Sequence, residues 1–118
     1  EEAQFIRQKG INTQYSHQIR ADNDWISRIL PTLSHHVYVT FDVDGFDPSI
    51  MPSTGTPEPN GLYWSETMGL LRLIGEQKHI VGFDVVEFAP MKGYHHPDYT
   101  AAKLTYKLMN YAFSKNRP

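Results

Sequence analysis

Acidic side chains at two places in this sequence could do chemistry. The first is the run Asp42-Val43-Asp44-Gly45-Phe46-Asp47-Pro48. Asp42 and Asp44 are two residues apart, so on a regular strand both carboxylates would face one side. Two such charges repel each other. A divalent cation relieves that repulsion and accepts oxygen ligands. Gly45 lets the backbone turn, and Pro48 fixes the turn beyond it. Asp, Gly and Pro are also the ordinary residues of turns and helix caps, so spacing alone leaves a turn cluster open beside a metal site. An EF-hand calcium loop does not fit. The glycine is at the wrong offset, the closing glutamate is missing, and a strand-like run leads in.

The second place is Glu87, at the end of Phe83-Asp84-Val85-Val86-Glu87. A carboxylate there could bind a cation or accept paired hydrogen bonds from a planar guanidinium. A structural ion pair is the alternative. Asp84 is one step deeper and reads as structural, bonded to loop backbone. The turn Ser53-Thr54-Gly55-Thr56-Pro57 supplies hydroxyls near the acids, and such hydroxyls more often satisfy local backbone groups. Of six histidines, none has a spacing that forms a site by itself. His35-His36 precedes the first acid-bearing strand, at the end away from the acids. His95-His96 follows Glu87 and reads as a solvated loop pair.

Two strands must position these acids. Residues 36–43 and 79–88 are rich in β-branched and aromatic residues and nearly continuous in their apolar character, which predicts strands buried on both faces. Between them, residues 44–61 hold four prolines and three glycines, a long ordered or functional loop. A helix over about 62–77 follows. Its Glu66 stands where a capping box places an acid, but Tyr63 offers no short side-chain oxygen. Upstream, residues 1–9 predict a polar helix closed by Gly10. Residues 11–16 predict a short edge strand. Asp22-Asn23-Asp24 predicts an N-cap for a helix to about Leu33, cut short by Pro31. Strand–helix alternation points to right-handed parallel βαβ units, whose ligands gather beyond the carboxyl ends of the strands.

A last helix is predicted over about 98–114. Lys103, Lys107, Asn110 and Ser114 form a narrow polar stripe. Ala101, Leu104, Leu108 and Tyr111 make one apolar ridge, and Ala102, Tyr106, Met109 and Phe113 make another. Such a helix needs a sheet on one side and a second contact on the other, from missing chain or a neighbouring subunit.

The bulk of the sequence excludes several classes. Its 118 residues suit one domain or part of one, and a net charge of −2 with interspersed signs argues against a nucleic-acid surface. With no cysteine, disulfides, thiolate metal sites and cysteine nucleophiles are excluded. No apolar run approaches the roughly 20 residues of a membrane helix, and no leader peptide is visible. A start at Glu1-Glu2-Ala3, without methionine, indicates processing or a piece of something longer. A cytoplasmic location is expected.

TFDVDGFDPSIMPSTGTPEPNGL followed by GFDVVEFAP resembles the signature of the arginase–agmatinase (ureohydrolase) family. The order and spacing of the two blocks also match, and the resemblance runs from about Ile11 to Phe113. It implies the C-terminal portion of a three-layer αβα fold with a mainly parallel sheet, filling residues 1–118. It also implies two manganese ions bridged by a hydroxide, with Asp42 and Asp44 as the two late metal ligands and Asp42 the bridging one. Glu87 matches the acid that holds the guanidinium, and Thr56 a loop residue near it. The substrate implied is agmatine, hydrolysed to putrescine and urea, with arginase, guanidinobutyrase and formiminoglutamase activities as alternatives. A non-catalytic binding or assembly domain is a further alternative. Family members form trimers or hexamers. Their other ligands come from Gly-Gly-Asp-His and Asp-Ala-His-x-Asp blocks, which do not occur here, so this chain alone is expected to be inactive and partly unfolded. Asn60 stands where many relatives have glycine, which a left-handed turn tolerates.

Overall fold

The structure is a computed structural model, and it describes residues 1–114. The chain divides into two compact units, Glu1–Thr32 and the remainder from Leu33.

The first unit is helical. α1 (Glu2–Lys9) ends as its sequence dictates, with Gly10 left-handed at φ 63° and its N–H bonded back to Arg7 and Ile6 carbonyls. The edge strand expected at 11–16 is absent. Residues 11–15 take no regular structure, and α2 (Ser16–Ala21) begins in its place. Tyr15 N–H donates to Gln18 Oε1 at 3.0 Å, a local bond that starts a helix with no need of a strand partner. α3 is short (Trp25–Ile29) and tightens into a 3₁₀ turn over Leu30–Thr32, where Pro31 cannot supply the next helical N–H. The expected cap works differently from expectation. Asp22 Oδ1 accepts from Asp24 N–H at 2.8 Å, and Asp24 makes no side-chain cap bond.

The second unit carries the acids. β1 (His36–Asp42) and β2 (His79–Val86) run parallel, joined through α4 (Trp64–Gln77), and α5 (His96–Phe113) follows. In the register Val39 faces Phe83, Thr40 faces Asp84 and Asp42 faces Val86. α4 opens with Tyr63 N–H donating to Glu66 Oε1 at 2.7 Å, so the glutamate half of the capping box forms without a short hydroxyl at the cap. α5 starts two residues earlier than expected because Pro97, lacking an N–H, fits the first turn.

β1 is not buried on both faces among the described residues. His36, Tyr38, Thr40 and Asp42 are exposed and alternate with Val37, Val39 and Phe41. The exposed side is polar for a reason: Asp84, also on it, accepts hydrogen bonds from Tyr38 Oη (3.0 Å) and Thr40 Oγ1 (2.7 Å). Asp84 is thus held by hydroxyls of the neighbouring strand and not by loop backbone. That bond also pushes the Tyr38 phenol above its ordinary pKa.

The apolar side packs on the helices. Phe41, Val43, Phe46, Met51, Leu71, Ala101, Leu104 and Leu108 form one buried cluster, with Val39, Phe83, Val85 and Trp64 against it. Phe46 tilts against Phe41 and stacks on Trp64, ring centres 5.0 and 6.1 Å away. No helix among the described residues is long and apolar enough to cross a membrane.

Candidate functional site

β1 stops at Asp42 because the chain bends there into a 3₁₀ turn, Val43–Gly45. Asp42 Oδ1 accepts the Asp44 N–H at 2.9 Å and so caps that turn. Val43 is fully buried beneath it, which anchors the turn to the core. Asp44 therefore reaches the rim from a turn and not by strand alternation. The turn reading that the spacing left open is met at Asp42, which caps with one oxygen, and both carboxylates stand at the carboxyl end of the sheet.

Asp44 is held from the other side by the loop. Thr56 Oγ1 donates to Asp44 Oδ2. Asp44 Oδ1 is buried and has no hydrogen-bond partner among the described residues. A buried, unpartnered carboxylate oxygen is costly unless a cation meets it. Hard carboxylate oxygens suit manganese, magnesium or calcium, so Asp42 and Asp44 fit a divalent ion chemically. They do not suffice in number. Among the described residues no group of three or more His, Asp or Glu side chains is placed to share a metal.

The loop that delivers Thr56 is organised by Asp47. Its Oδ1 accepts from Ser49 N–H (3.0 Å) and Ser49 Oγ (2.5 Å), and its Oδ2 accepts from Asn60 N–H (3.0 Å). These bonds, led by the Ser49 hydroxyl, hold the Asp47 carboxyl below its ordinary pKa. The loop closes on itself through Leu62 N–H to Gly45 O (2.7 Å) and Asp47 N–H to Leu62 O (3.0 Å). Gly61 permits that closure, since a Cβ there would lie 2.5 Å from Asp47 N. Asn60 is left-handed at φ 70°, as its place among glycine-bearing relatives suggested.

Glu87 follows the last residue of β2 and is left-handed, with φ 63°. Glutamate gains nothing from that conformation, which costs an L-residue about 1–2 kcal/mol. Strain of this kind collects where a side chain must be aimed. Two residues on, Ala89 N–H donates to Ser53 O at 2.9 Å and ties the Glu87 loop to the Thr56 loop. Ser53 itself is buried. Neither Glu87's backbone nor this clamp leaves a signal in the residue types, whereas the Asp-Pro-Ser turn at Asp47 could have been read as an Asx turn.

Five of the histidines make contacts of their own. His95 pairs with Asp98 at 3.2 Å just before α5. His96 opens α5 and lines a cleft of about 420 Å³ with Trp64, Tyr99 and Lys103. His35, His36 and His79 gather at the far end of the sheet, with ring centres 4.8 and 5.3 Å apart in succession.

Similarity to known proteins covers nearly the whole chain. The model of the arginase family matches residues 1–111. An N(1)-aminopropylagmatine ureohydrolase from Synechocystis sp. is 39% identical over 94% of this chain and 37% of its own length. An agmatinase from Pyrococcus horikoshii is 36% identical over 90% of this chain and 37% of its own. Among solved structures, proclavaminate amidinohydrolase from Streptomyces clavuligerus superposes with a TM-score of 0.82 at 29% identity, covering 92% of this chain and 38% of that one. The chain thus spans a little over a third of the length of the relatives it matches.

Proposed function

Because the chain belongs to the arginase family, we propose that it forms the guanidinium-gripping third of a manganese-dependent ureohydrolase acting on agmatine or a close derivative. One observation carries the reading: Glu87 is held left-handed at the tip of β2, on the loop clamped to the one that bears Thr56.

Glu87 would accept two N–H bonds from the planar guanidinium and fix its plane, a charge-assisted and geometrically specific grip. Water then adds to the guanidinium carbon, and the bond from that carbon to the alkyl nitrogen breaks. The proton balance gives neutral urea and an alkylammonium ion. Fixing the plane matters because the delocalised cation is a poor electrophile, reactive only to face-on approach. Asp42 and Asp44 would hold manganese, together with ligands from polypeptide beyond this chain. When bound, the two ions acidify water and stabilise charge developing at the carbon. Thr56 keeps one Asp44 oxygen oriented and leaves the other for the ion. Two of the relatives act, by their names, on aminopropylagmatine and agmatine. This third of the fold therefore fits the guanidinium end that such substrates share. N(1)-aminopropylagmatine is the second reading, favoured by the 39% identical relative.

The test needs a complete subunit, made by placing this chain behind the upstream two-thirds of the Synechocystis relative. Manganese-dependent urea release is measured on agmatine, aminopropylagmatine, arginine and guanidinobutyrate. Asp42→Ala and Asp44→Ala each abolish release, and undiminished turnover in either contradicts the metal assignment. Glu87→Gln keeps the manganese content but loses at least about 100-fold in kcat/KM, the scale of two weakened charge-assisted bonds. Unchanged kinetics would remove Glu87 from the substrate.

A further inference from the structure

His35, His36 and His79 meet where the two strands begin. His36 and His79 are register partners at the start of β1 and β2, so they stand about 4.8 Å apart in backbone and share a face. Ring centres are 4.8 Å apart for His35 and His36, and 5.3 Å for His36 and His79. The backbone fixes this meeting. His79 N–H donates to His35 O at 2.8 Å, and Ser34 Oγ donates to His36 O at 2.6 Å. Lys78, the nearest cation in the chain, directs its Nζ to Leu33 O at 2.8 Å. The whole length of β1, His36–Asp42, separates His36 from the acids, roughly 20 Å. The proposed guanidinium chemistry uses none of the three.

We propose that His36 and His79, with His35 as third ligand, chelate one divalent transition-metal ion of the class that imidazole prefers: zinc, nickel or copper. The spacing supports it. Two imidazoles that bind one ion through nitrogens at about 2.0–2.1 Å, at right or tetrahedral angles, hold their ring centres roughly 4.6–5.3 Å apart. Both observed separations match. The rings now stand edge-on, at 89° and 83°, and among the described residues no three such side chains are placed to share a metal. Binding therefore turns the rings about their Cβ–Cγ bonds. His35 and His36 are exposed, and exposed side chains change rotamer in picoseconds to nanoseconds. Half-buried His79 sets the position to which they turn. Water fills the remaining coordination, and the bound ion pins the start of β1 to that of β2. The two ends of the sheet select different ions, because manganese, magnesium and calcium favour the oxygen donors of Asp42 and Asp44.

Nickel is the probe. It is titrated calorimetrically into the chain itself and into the completed subunit already saturated with manganese. His36→Asn and His79→Asn each weaken nickel binding at least about tenfold, since changes one shell further out already cost that much. His96→Asn, in the cleft beside Trp64, is the control and leaves it unchanged. His79 is distant from His36 in sequence, so a loss at His79→Asn alone marks the folded pair and not the adjacent His35-His36. Undiminished binding in either variant, or an equal loss at His96→Asn, overturns the proposal. So does the absence of nickel binding from both preparations. Binding seen in the short chain and lost in the completed subunit also overturns it, because upstream polypeptide would then fill the place. A readout that needs no variant is the electron paramagnetic resonance of bound copper in the unaltered protein. Nitrogen hyperfine splitting is expected, and a spectrum of oxygen ligands alone overturns the assignment.

Discussion

The carboxyl rim of the sheet and the apolar cluster beneath it are built from interleaved residues, yet they follow opposite rules. Asp42, Asp44 and Asp47 alternate with Val43 and Phe46, which are fully buried. Below the rim every contact is conventional: rings tilt against rings, and Leu104 and Leu108 close the floor. At the rim a carboxylate oxygen lies buried without a partner and a glutamate is left-handed. The apolar residues hold the acidic ones in conformations they would not choose alone. Strain at the rim persists because the floor over-determines it.

That division of labour can be broken from below. Leu104→Ala opens a cavity under the Asp42 turn and costs about 2–5 kcal/mol in urea denaturation. It should lower the midpoint without changing which substrate a complete subunit prefers. A loss under 1 kcal/mol would mean that the floor is not supporting the rim. A rim change of intermediate size is Thr56→Val. Among the described residues it removes the only hydroxyl on Asp44 and leaves both of its oxygens unpartnered, a cost of about 1–3 kcal/mol. If manganese binds there, adding the ion to a complete subunit should recover most of that loss, whereas it cannot rescue Leu104→Ala.

The two regions also differed in how far the sequence disclosed them. The strands, α4, α5 and the apolar ridge of Leu104 and Leu108 followed from hydrophobic periodicity, because burial leaves a pattern in every residue of an element. The acids at the strand ends were visible as residues, and the family resemblance supplied their roles. What was hidden is conformational. Strand alternation suggested that Asp42 and Asp44 share a face, but Asp44 lies in a turn that Asp42 caps. Tyr38 and Thr40 read as strand formers and proved to be the hydroxyls that hold Asp84. The edge strand expected at 11–16 gave way to a helix start because a helical cap was locally available in Tyr15 N–H to Gln18 Oε1.

The two left-handed residues other than glycine among the described residues, Glu87 and Asn60, sharpen the contrast, since one sits at the proposed grip and the other only shapes a loop. Glu87→Gly relieves strain and should raise stability by about 0.5–1 kcal/mol, net of glycine's greater freedom in the unfolded chain. It should also remove guanidinium binding. Asn60→Gly should change stability by roughly a few tenths of a kcal/mol, because asparagine already tolerates this region, and should spare kinetics. Equal gains at both positions would indicate that Glu87 carries no special strain. A stability loss at Glu87→Gly would show that its side chain supports the fold.

The smallest effect concerns pH and the Asp47 loop. The Ser49 hydroxyl, then the N–H groups of Ser49, Asn60 and Gly61, hold the folded Asp47 pKa below its unfolded value of about 3.9. A depressed carboxyl pKa adds stability that is complete above the unfolded pKa and disappears as pH falls through the folded one. Asparagine at this position keeps one acceptor oxygen but has no charge to lose. The stability difference between the unaltered chain and Asp47→Asn should therefore be constant from pH 7 down to about pH 5 and shrink below it. Denaturation curves at pH 7, 4 and 3 measure it. A difference that held its size at pH 3 would mean that the loop is organised by shape and not by the ionised carboxylate, and Thr56 would then owe its place over Asp44 to Gly61 and Leu62 alone.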